Sequence, residues 1–308
     1  MEALMANPPV ANYLPLEQRV PDFQIRNLLE HIMKEGRIVH PIQGGEARMI
    51  VGAQCHFKMA NGAPVINLRD ISGSMFYGAI AEHISFLNGA QTLEELVSYG
   101  MNPHWWDRWV TKKKCADFGL PEGNLGTASY GAVWTRFPTR DGGFFNQITA
   151  VIEQIRRAPH LRTHKITPWF PPEIIGPPGT RKVVVAPCHG EVHIIVDPET
   201  KELIVHHVQR SGDLAVGVKF NIVQYTSLGM MLAQILGYTF SELVYTFSDV
   251  HIYEVQYPFV EELISREPFP FGRITLQEGI MDIHDFLPEH FTLSEYQAHP
   301  RMNIPTPV

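Results

Sequence analysis

The segment 222–236, IVQYTSLGMMLAQIL, is apolar nearly all the way around a helix. A surface helix keeps one polar face, so this segment must lie at the centre of a fold with other elements on every side. Residues 182–209 just before it, KVVVAPCHGEVHIIVDPETKELIVHHVQ, alternate with period two. They predict two strands joined at the DPETKE turn, with Pro198 in the turn. Residues 243–257 are strand-like again. A mixed, mostly buried sheet wrapped on one central helix is an α+β fold. The 308 residues are 44% apolar and 19% charged, which is enough for a large core in a single domain.

The other elements follow from period and punctuation. Residues 1–22 are Pro-rich and aperiodic and predict an extended arm ahead of one domain spanning 23–308. Phe23, Leu28, Leu29, Ile32 and Met33 fall at helical spacing, and Gly36 suits a stop. Residues 46–59 read as a strand, Ser74–Leu87 as a buried helix, and Asn146–Arg157 as a further helix. Thr92 with Glu95 marks a short capped helix. Residues 102–145 hold Trp105, Trp106, Trp109 and Trp134 among Gly, Asn and Pro, the look of irregular ligand-binding loops. The Pro-rich run 168–179 predicts a loop.

Several function classes are excluded or disfavoured. A net charge of −7 argues against duplex or other nucleic-acid binding, which needs a basic surface. No apolar run approaches the length of a membrane span, and the N-terminus lacks a signal-peptide pattern. The nucleotide-binding patterns GxGxxG and GxxxxGK[ST] do not occur. Cys55, Cys115 and Cys188 cannot all pair, so free thiols in a reducing, cytoplasmic setting are expected. His206-His207 and His160/His164 have no third ligand at metal spacing, so no metal is expected.

The chemistry concentrates after residue 187. Cys188 follows Pro187 and precedes His189, with Arg210 one hairpin away. Such a thiol is well placed for a lowered pKa, and its thiolate would be a nucleophile. A core cysteine is the other reading. The loop QRSGDLAVGVKFNI, 209–222, gathers Gln209, Arg210, Ser211, Asp213, Gly217, Phe220 and Asn221. Arg210 and Ser211 make a phosphate-binding pair of fork donor and hydroxyl. The Asn221 amide offers one donor and one acceptor, matching O4 and N3–H of a uracil ring. His251 and Tyr253 share a strand face and can donate to a sugar hydroxyl. Glu82 sits in an otherwise apolar helix, where an unpaired carboxylate is costly, so it is functional or hydrogen-bonded. Trp106 and Trp109 are equally readable as core, Tyr130 as a turn residue beside Gly131, and Arg162 as part of a solvated face.

Cys188-His189, the QRSxD run, FNI and DxHIY, in this order, resemble thymidylate synthase and its nucleotide hydroxymethylase relatives. AEHISFLNG resembles the family's segment with a catalytic glutamate, WWDRW its cofactor-stacking Trp segment, and ASYGAVW its Tyr-Gly segment. FNQITAVIEQI resembles its dimer-side helix and HPRMNIPTPV its closing tail. The resemblance implies that Cys188 adds to C6 of a pyrimidine nucleotide, so that C5 attacks the methylene of 5,10-methylenetetrahydrofolate. It implies that Glu82 organises proton transfer through water and that Tyr130 assists proton removal at C5. Asp213 would hold the folate pterin, with Trp106, Trp109, Gly217, Phe220 and Val308 around it. Arg210 and Ser211 would bind the phosphate, and Gln209, Asn221, His189, His251 and Tyr253 the rest of the nucleotide. Arg162 would come from the partner in a homodimer with a shared active site.

The chain departs from the family in its phosphate and folate contacts. In HPIQGGEARM, 40–49, Ile42 falls where the family's phosphate arginine belongs, and Arg37 or Arg48 are the candidate substitutes. Arg162 is followed by Thr163 instead of a second arginine, and NLRDISGS keeps only Arg69 of a basic run. These losses point to a specialised uracil-nucleotide 5-hydroxymethylase, in which water completes the transfer. Reductive methylation by a thymidylate synthase is the alternative, with which Trp106 is compatible. Transfer to CMP or dCMP, a non-nucleotide heteroaromatic substrate, and a catalytically idle binding relative complete the alternatives.

Overall fold

A computed structural model describes residues 9–177 and 179–307. The helices are α1 (Gln24–Glu35), α2 (Ser74–Leu87), α3 (Leu93–Ser98), α4 (Lys112–Ala116), α5 (Tyr130–Thr135), α6 (Gln147–Arg157), α7 (Pro171–Ile174), α8 (Val218–Leu236) and α9 (Tyr257–Ser265). The strands are β1 (Arg37–Val39), β2 (Ala47–Val51), β3 (Gln54–Lys58), β4 (Phe137–Pro138), β5 (Phe144–Phe145), β6 (Lys165–Ile166), β7 (Glu191–Asp197), β8 (Glu202–Asp213), β9 (Thr239–Tyr253), β10 (Arg273–Leu276) and β11 (Phe291–Ser294). Among the described residues one seven-stranded sheet runs β1-β2-β9-β8-β7-β6, with β3 paired to β9 beside β2. The β8–β9 pair is parallel and its neighbours are antiparallel, so the sheet is mixed and the class is α+β.

The centre is α8, as its composition demands. It is buried from Val218 to Ala233 except for half-buried Phe220, and it packs on α2, β8 and β9. Gly237, at φ +70, ends it in a left-handed cap that costs glycine nothing. Gly229 is a different case: a Cβ there would sit 2.5 Å from the Phe240 ring. Helix and strand touch backbone to ring at this point. Gly229→Ala is therefore expected to destabilise the fold by about 1–3 kcal/mol through overpacking. Denaturant unfolding reads this directly, and an unchanged midpoint would mean the contact yields without cost.

Part of the expected layout shifts. The 46–59 strand breaks at Gly52 into β2 and β3, which share β9 as partner. Residues 182–190 are not a strand, because their carbonyls accept from arginine side chains instead of a ladder: Val183 and Val184 from Arg181, Ala186 and Pro187 from Arg210. The second strand of the hairpin runs on to Asp213, because its pairing with β9 continues to His251. Arg210, Ser211 and Asp213 thus lie on β8 and not in a loop. The helix starts at Val218 instead of Ile222, so Asn221 is helical too. Residues 102–145 contain α4, α5 and the β4–β5 hairpin, and the 168–179 loop contains the one turn of α7. The arm from Pro9 lies against the domain: the Phe240 N–H donates to the Val10 carbonyl, and the Tyr13 hydroxyl to that of Ile274. No helix among the described residues is long and apolar enough to cross a membrane.

Candidate active site

The site is built where the segment before β7 meets the far half of β8. The Cys188 carbonyl accepts the N–H groups of Arg210 (2.8 Å) and Ser211 (3.2 Å), which fastens the cysteine to β8. Its own N–H donates to the Tyr130 hydroxyl oxygen at 2.7 Å. The Arg210 Nη2 stands 3.4 Å from the Cys188 Sγ. Burial raises the thiol above its ordinary pKa, and Arg210 and the Tyr130 bond work against that rise. The resting group is a thiol, contrary to the expected lowered pKa. His189 supplies no positive charge either: burial pushes it down to about 3, and its Nδ1 faces the Tyr225 hydroxyl at 2.6 Å. Arg210 is the cation beside the sulfur, so ionisation must accompany bond formation.

Tyr130 is held between two rings, stacked on Phe86 at 4.9 Å and on His189 at 4.4 Å. Burial raises its phenol well above the ordinary value, so it stays neutral. Glu82 projects from α2 toward α8 and accepts the Trp106 indole N–H and, at 2.5 Å, the Gln224 amide. Burial raises it to about 7, against those two bonds. Asn221 Nδ2 donates to Gln224 Oε1 at 2.9 Å, and Gln209 Nε2 donates to Asn221 Oδ1 at 3.2 Å.

The parallel β8–β9 register aligns Ser211 with Asp249 and Asp213 with His251. The Ser211 hydroxyl donates to Asp249 at 2.9 Å, and His251 Nδ1 lies 3.0 Å from the other carboxylate oxygen. Burial opposes ionisation of Asp249, yet His251, Ser211 and Arg210 together hold its carboxyl below the usual range. Asp213 accepts the Val216 N–H (3.0 Å) and the Gln256 amide (2.8 Å), and burial raises its pKa. Gln256 also donates to the Pro305 carbonyl at 3.0 Å, which ties Asp213 to the C-terminal segment.

These groups surround two adjoining cavities. One, of about 540 Å³, is lined by Cys188, Arg210, Ser211, Asp213, His251 and Tyr253. The other, of about 500 Å³, is lined by Glu82, Asn221, Gly217, Phe220 and Trp105. Trp109 and Thr306 belong to both walls. Trp106 lies behind the wall on Glu82, and Trp105, half-buried and 4.9 Å from the Phe220 ring, is the one of the pair that lines the second cavity. Gln209 is buried beneath the first cavity. Arg162 is exposed in the turn after α6 and lines neither cavity, and Val308 lies outside the described residues.

The position where the resemblance expects a phosphate arginine lies on the first cavity. Ile42 stands at the mouth of the first cavity, 99% exposed. Neither expected substitute lines that cavity: Arg48 donates to the Met33 carbonyl and lies over the Tyr257 ring, and Arg37 is exposed on β1. Arg181 does line it, a residue just ahead of the expected 182–209 strands to which sequence reasoning assigned no role. Gln224 and Gln256 were missed as well. Gln224, a polar residue three positions after Asn221 in an apolar helix, carried a signal that could have found it. Arg69 is buried and donates to the carbonyls of Met302 and Ala215, so it holds the tail. Among the described residues no group of three or more His, Cys, Asp or Glu side chains is placed to hold a metal.

The arrangement offers a thiol beside a fixed guanidinium, a carboxyl that titrates near neutrality and a locked amide on adjoining cavities, with a neutral phenol buried behind the thiol. That is equipment for adding sulfur to an electron-poor ring and moving protons around it. A family model described as thymidylate synthase matches residues 23–308.

Proposed function

This chain belongs to the thymidylate synthase family, and from that premise we propose that it hydroxymethylates C5 of a uracil nucleotide. The family is one of one-carbon transferases that use methylenetetrahydrofolate as co-substrate and a pyrimidine nucleotide as acceptor. Methylenetetrahydrofolate supplies the one-carbon unit. The second cavity suits a flat heteroaromatic ring, with Trp105, Trp109 and Phe220 as apolar walls and Glu82 and Asn221 as polar groups.

In the proposed mechanism the Cys188 sulfur forms a bond to C6, and the C5–C6 π electrons move toward C5 and O4 while the thiol proton leaves. Arg210 stabilises the forming thiolate. Glu82 and Asn221 face the developing charge on the ring, Glu82 exchanging protons through water. C5 bonds the transferred methylene carbon; Tyr130, neutral and fixed between Phe86 and His189, then assists removal of the C5 proton as the folate nitrogen leaves that carbon, and water adds to the carbon in its place. Loss of the Cys188–C6 bond then restores the ring and the thiol. Arg210, Ser211 and Arg181 form the cationic and hydroxyl end for the phosphate, and His251 and Tyr253 line the sugar side. Asp213, Gly217, Phe220, Trp105 and Trp109 form the folate side.

The observation that carries the hydroxymethyl outcome is Ile42, bare at the cavity mouth where the resemblance calls for an arginine. Reductive methylation is the second reading, with which Trp106, held on Glu82, is compatible. The resemblance implies a homodimer with a shared site, and a third cavity of about 270 Å³, lined by Trp169, Cys188, Arg210 and Ser248, is where a second copy would reach it. Arg162 of a second copy would complete it. Parallel incubations of dUMP, dCMP, UMP and CMP with methylenetetrahydrofolate decide the product. The expected result is the mass of an added hydroxymethyl group on a uracil nucleotide without dihydrofolate absorbance. An added methyl group with dihydrofolate would establish the synthase reaction instead.

A further inference from the structure

Gln224 is fully buried at the centre of α8 and belongs to a row of hydrogen bonds with a single sense. The Tyr245 hydroxyl donates to Gln209 Oε1. Gln209 Nε2 donates to Asn221 Oδ1 at 3.2 Å and to the Ser211 carbonyl at 3.0 Å. Asn221 Nδ2 donates to Gln224 Oε1 at 2.9 Å, and Gln224 Nε2 donates to Glu82 Oε2 at 2.5 Å. Every donor in the row points toward Glu82.

The sense is dictated at both ends. A primary amide has a donating end and an accepting end, and a flip exchanges them. In its ionised form Glu82 can only accept, which turns the Gln224 NH₂ to it and the Gln224 oxygen to Asn221. Asn221 must answer with Nδ2. At the other end the Ser211 carbonyl holds the NH₂ of Gln209, which then meets Asn221 Oδ1. A reversed Asn221 would set NH₂ against NH₂ at Gln209 and oxygen against oxygen at Gln224, in a buried site where unmade bonds are costly. What Asn221 has left for the cavity is one N–H and one Oδ1 lone pair, in fixed places.

We propose that Gln224 is a specificity-determining residue, which locks the Asn221 amide in the sense that admits a uracil edge and refuses the reversed edge of cytosine. Uracil presents a ring N–H to Oδ1 and a carbonyl to Nδ2. Cytosine presents a bare ring nitrogen and an amino group, which only the flipped amide would match. The inference rests on the assignment of this cavity to a pyrimidine nucleotide.

The test is calorimetric binding of dUMP and dCMP to the full chain and to Gln224→Met, which keeps side-chain length and removes both bonds. The native chain is expected to prefer dUMP, and the variant to lose at least about tenfold of that preference, in part through tighter dCMP binding. A folded variant that keeps the ratio, or weakens both nucleotides equally, overturns the proposal and leaves Gln224 a structural residue. If Gln224→Met fails to fold, Glu82→Gln carries the same test. The Trp106 indole claims its oxygen, so its NH₂ faces Gln224 and works to reverse the row; the ratio must fall, and an unchanged ratio overturns the proposal. A native chain that prefers dCMP overturns it while leaving the nucleotide assignment standing. A native chain that binds neither removes that assignment, and the inference with it.

Discussion

Cys188→Ala is expected to lower turnover by at least about 10⁴-fold, because removal of a covalent nucleophile leaves only binding and electrostatics. Nucleotide affinity is expected to change little, since Arg210, Ser211 and Asn221 keep their partners in β8, β9 and α8. One secondary effect follows from geometry. Arg210 is held by the Pro187 and Ala186 carbonyls at 3.0 and 3.2 Å, so losing the sulfur does not release it. Single-turnover assays with the accepted nucleotide, beside equilibrium binding, separate the two quantities. Residual turnover within tenfold of the native rate would exclude the covalent route.

The second large effect belongs to Glu82. Its carboxyl, raised from 4.5 to about 7 by burial, is faced by the Trp106 indole and the Gln224 amide, with the phenols of Tyr130 and Tyr225 nearby. Glu82→Gln is expected to lower kcat by about 10²–10³-fold and to erase a limb of the pH–rate profile near pH 7. The same group sets a stability trend. The folded pKa lies above the unfolded one, so the folded state keeps its proton while the unfolded chain has already lost it. Stability from this group is complete below pH 4.5 and is lost as pH rises through about 7. The loss amounts to about 3 kcal/mol by the worth of one pKa unit. Urea unfolding of the native chain and Glu82→Gln across this window measures the difference, and parallel curves would show that Glu82 does not titrate there.

Much of the fold was legible in advance because it rests on local chemistry, whereas the roles of the site residues came from the resemblance. The apolar 222–236 segment located the central helix, and its neighbours on both sides followed. Cys188, Glu82, Asn221 and the Arg210–Ser211 pair were recognisable as polar or reactive groups set against apolar surroundings. The failures have a common origin in tertiary context. The start of α8 was hidden because Lys219 and Asn221 look like loop residues, although Lys219 satisfies itself on the Val216 carbonyl at 2.7 Å. The extra length of β8 comes from its partner β9, which no local pattern announces. Trp105 and Trp106 are adjacent and chemically alike, and only the packing of α2 decides that Trp106 turns inward to Glu82. Arg181 became visible only when 182–190 failed to pair as a strand.

The parallel join of β8 to β9 through α8 also governs when the site comes into being. Ser211 and Asp249 are 38 positions apart in sequence, and a parallel pair needs a complete crossover before its first bond can form. Such distant pairings form slowly, since the chain must close the intervening loop before any contact rewards it. Ser211, His251 and Asn221, to which the proposed function gives the phosphate, the sugar and the base, all sit on this one crossover and its two strands. A partly folded chain without it has no place for a nucleotide, so ligand stabilises the finished fold alone, by mass action. If the proposed nucleotide binds, it would thereby hold the chain in the state where this crossover is closed.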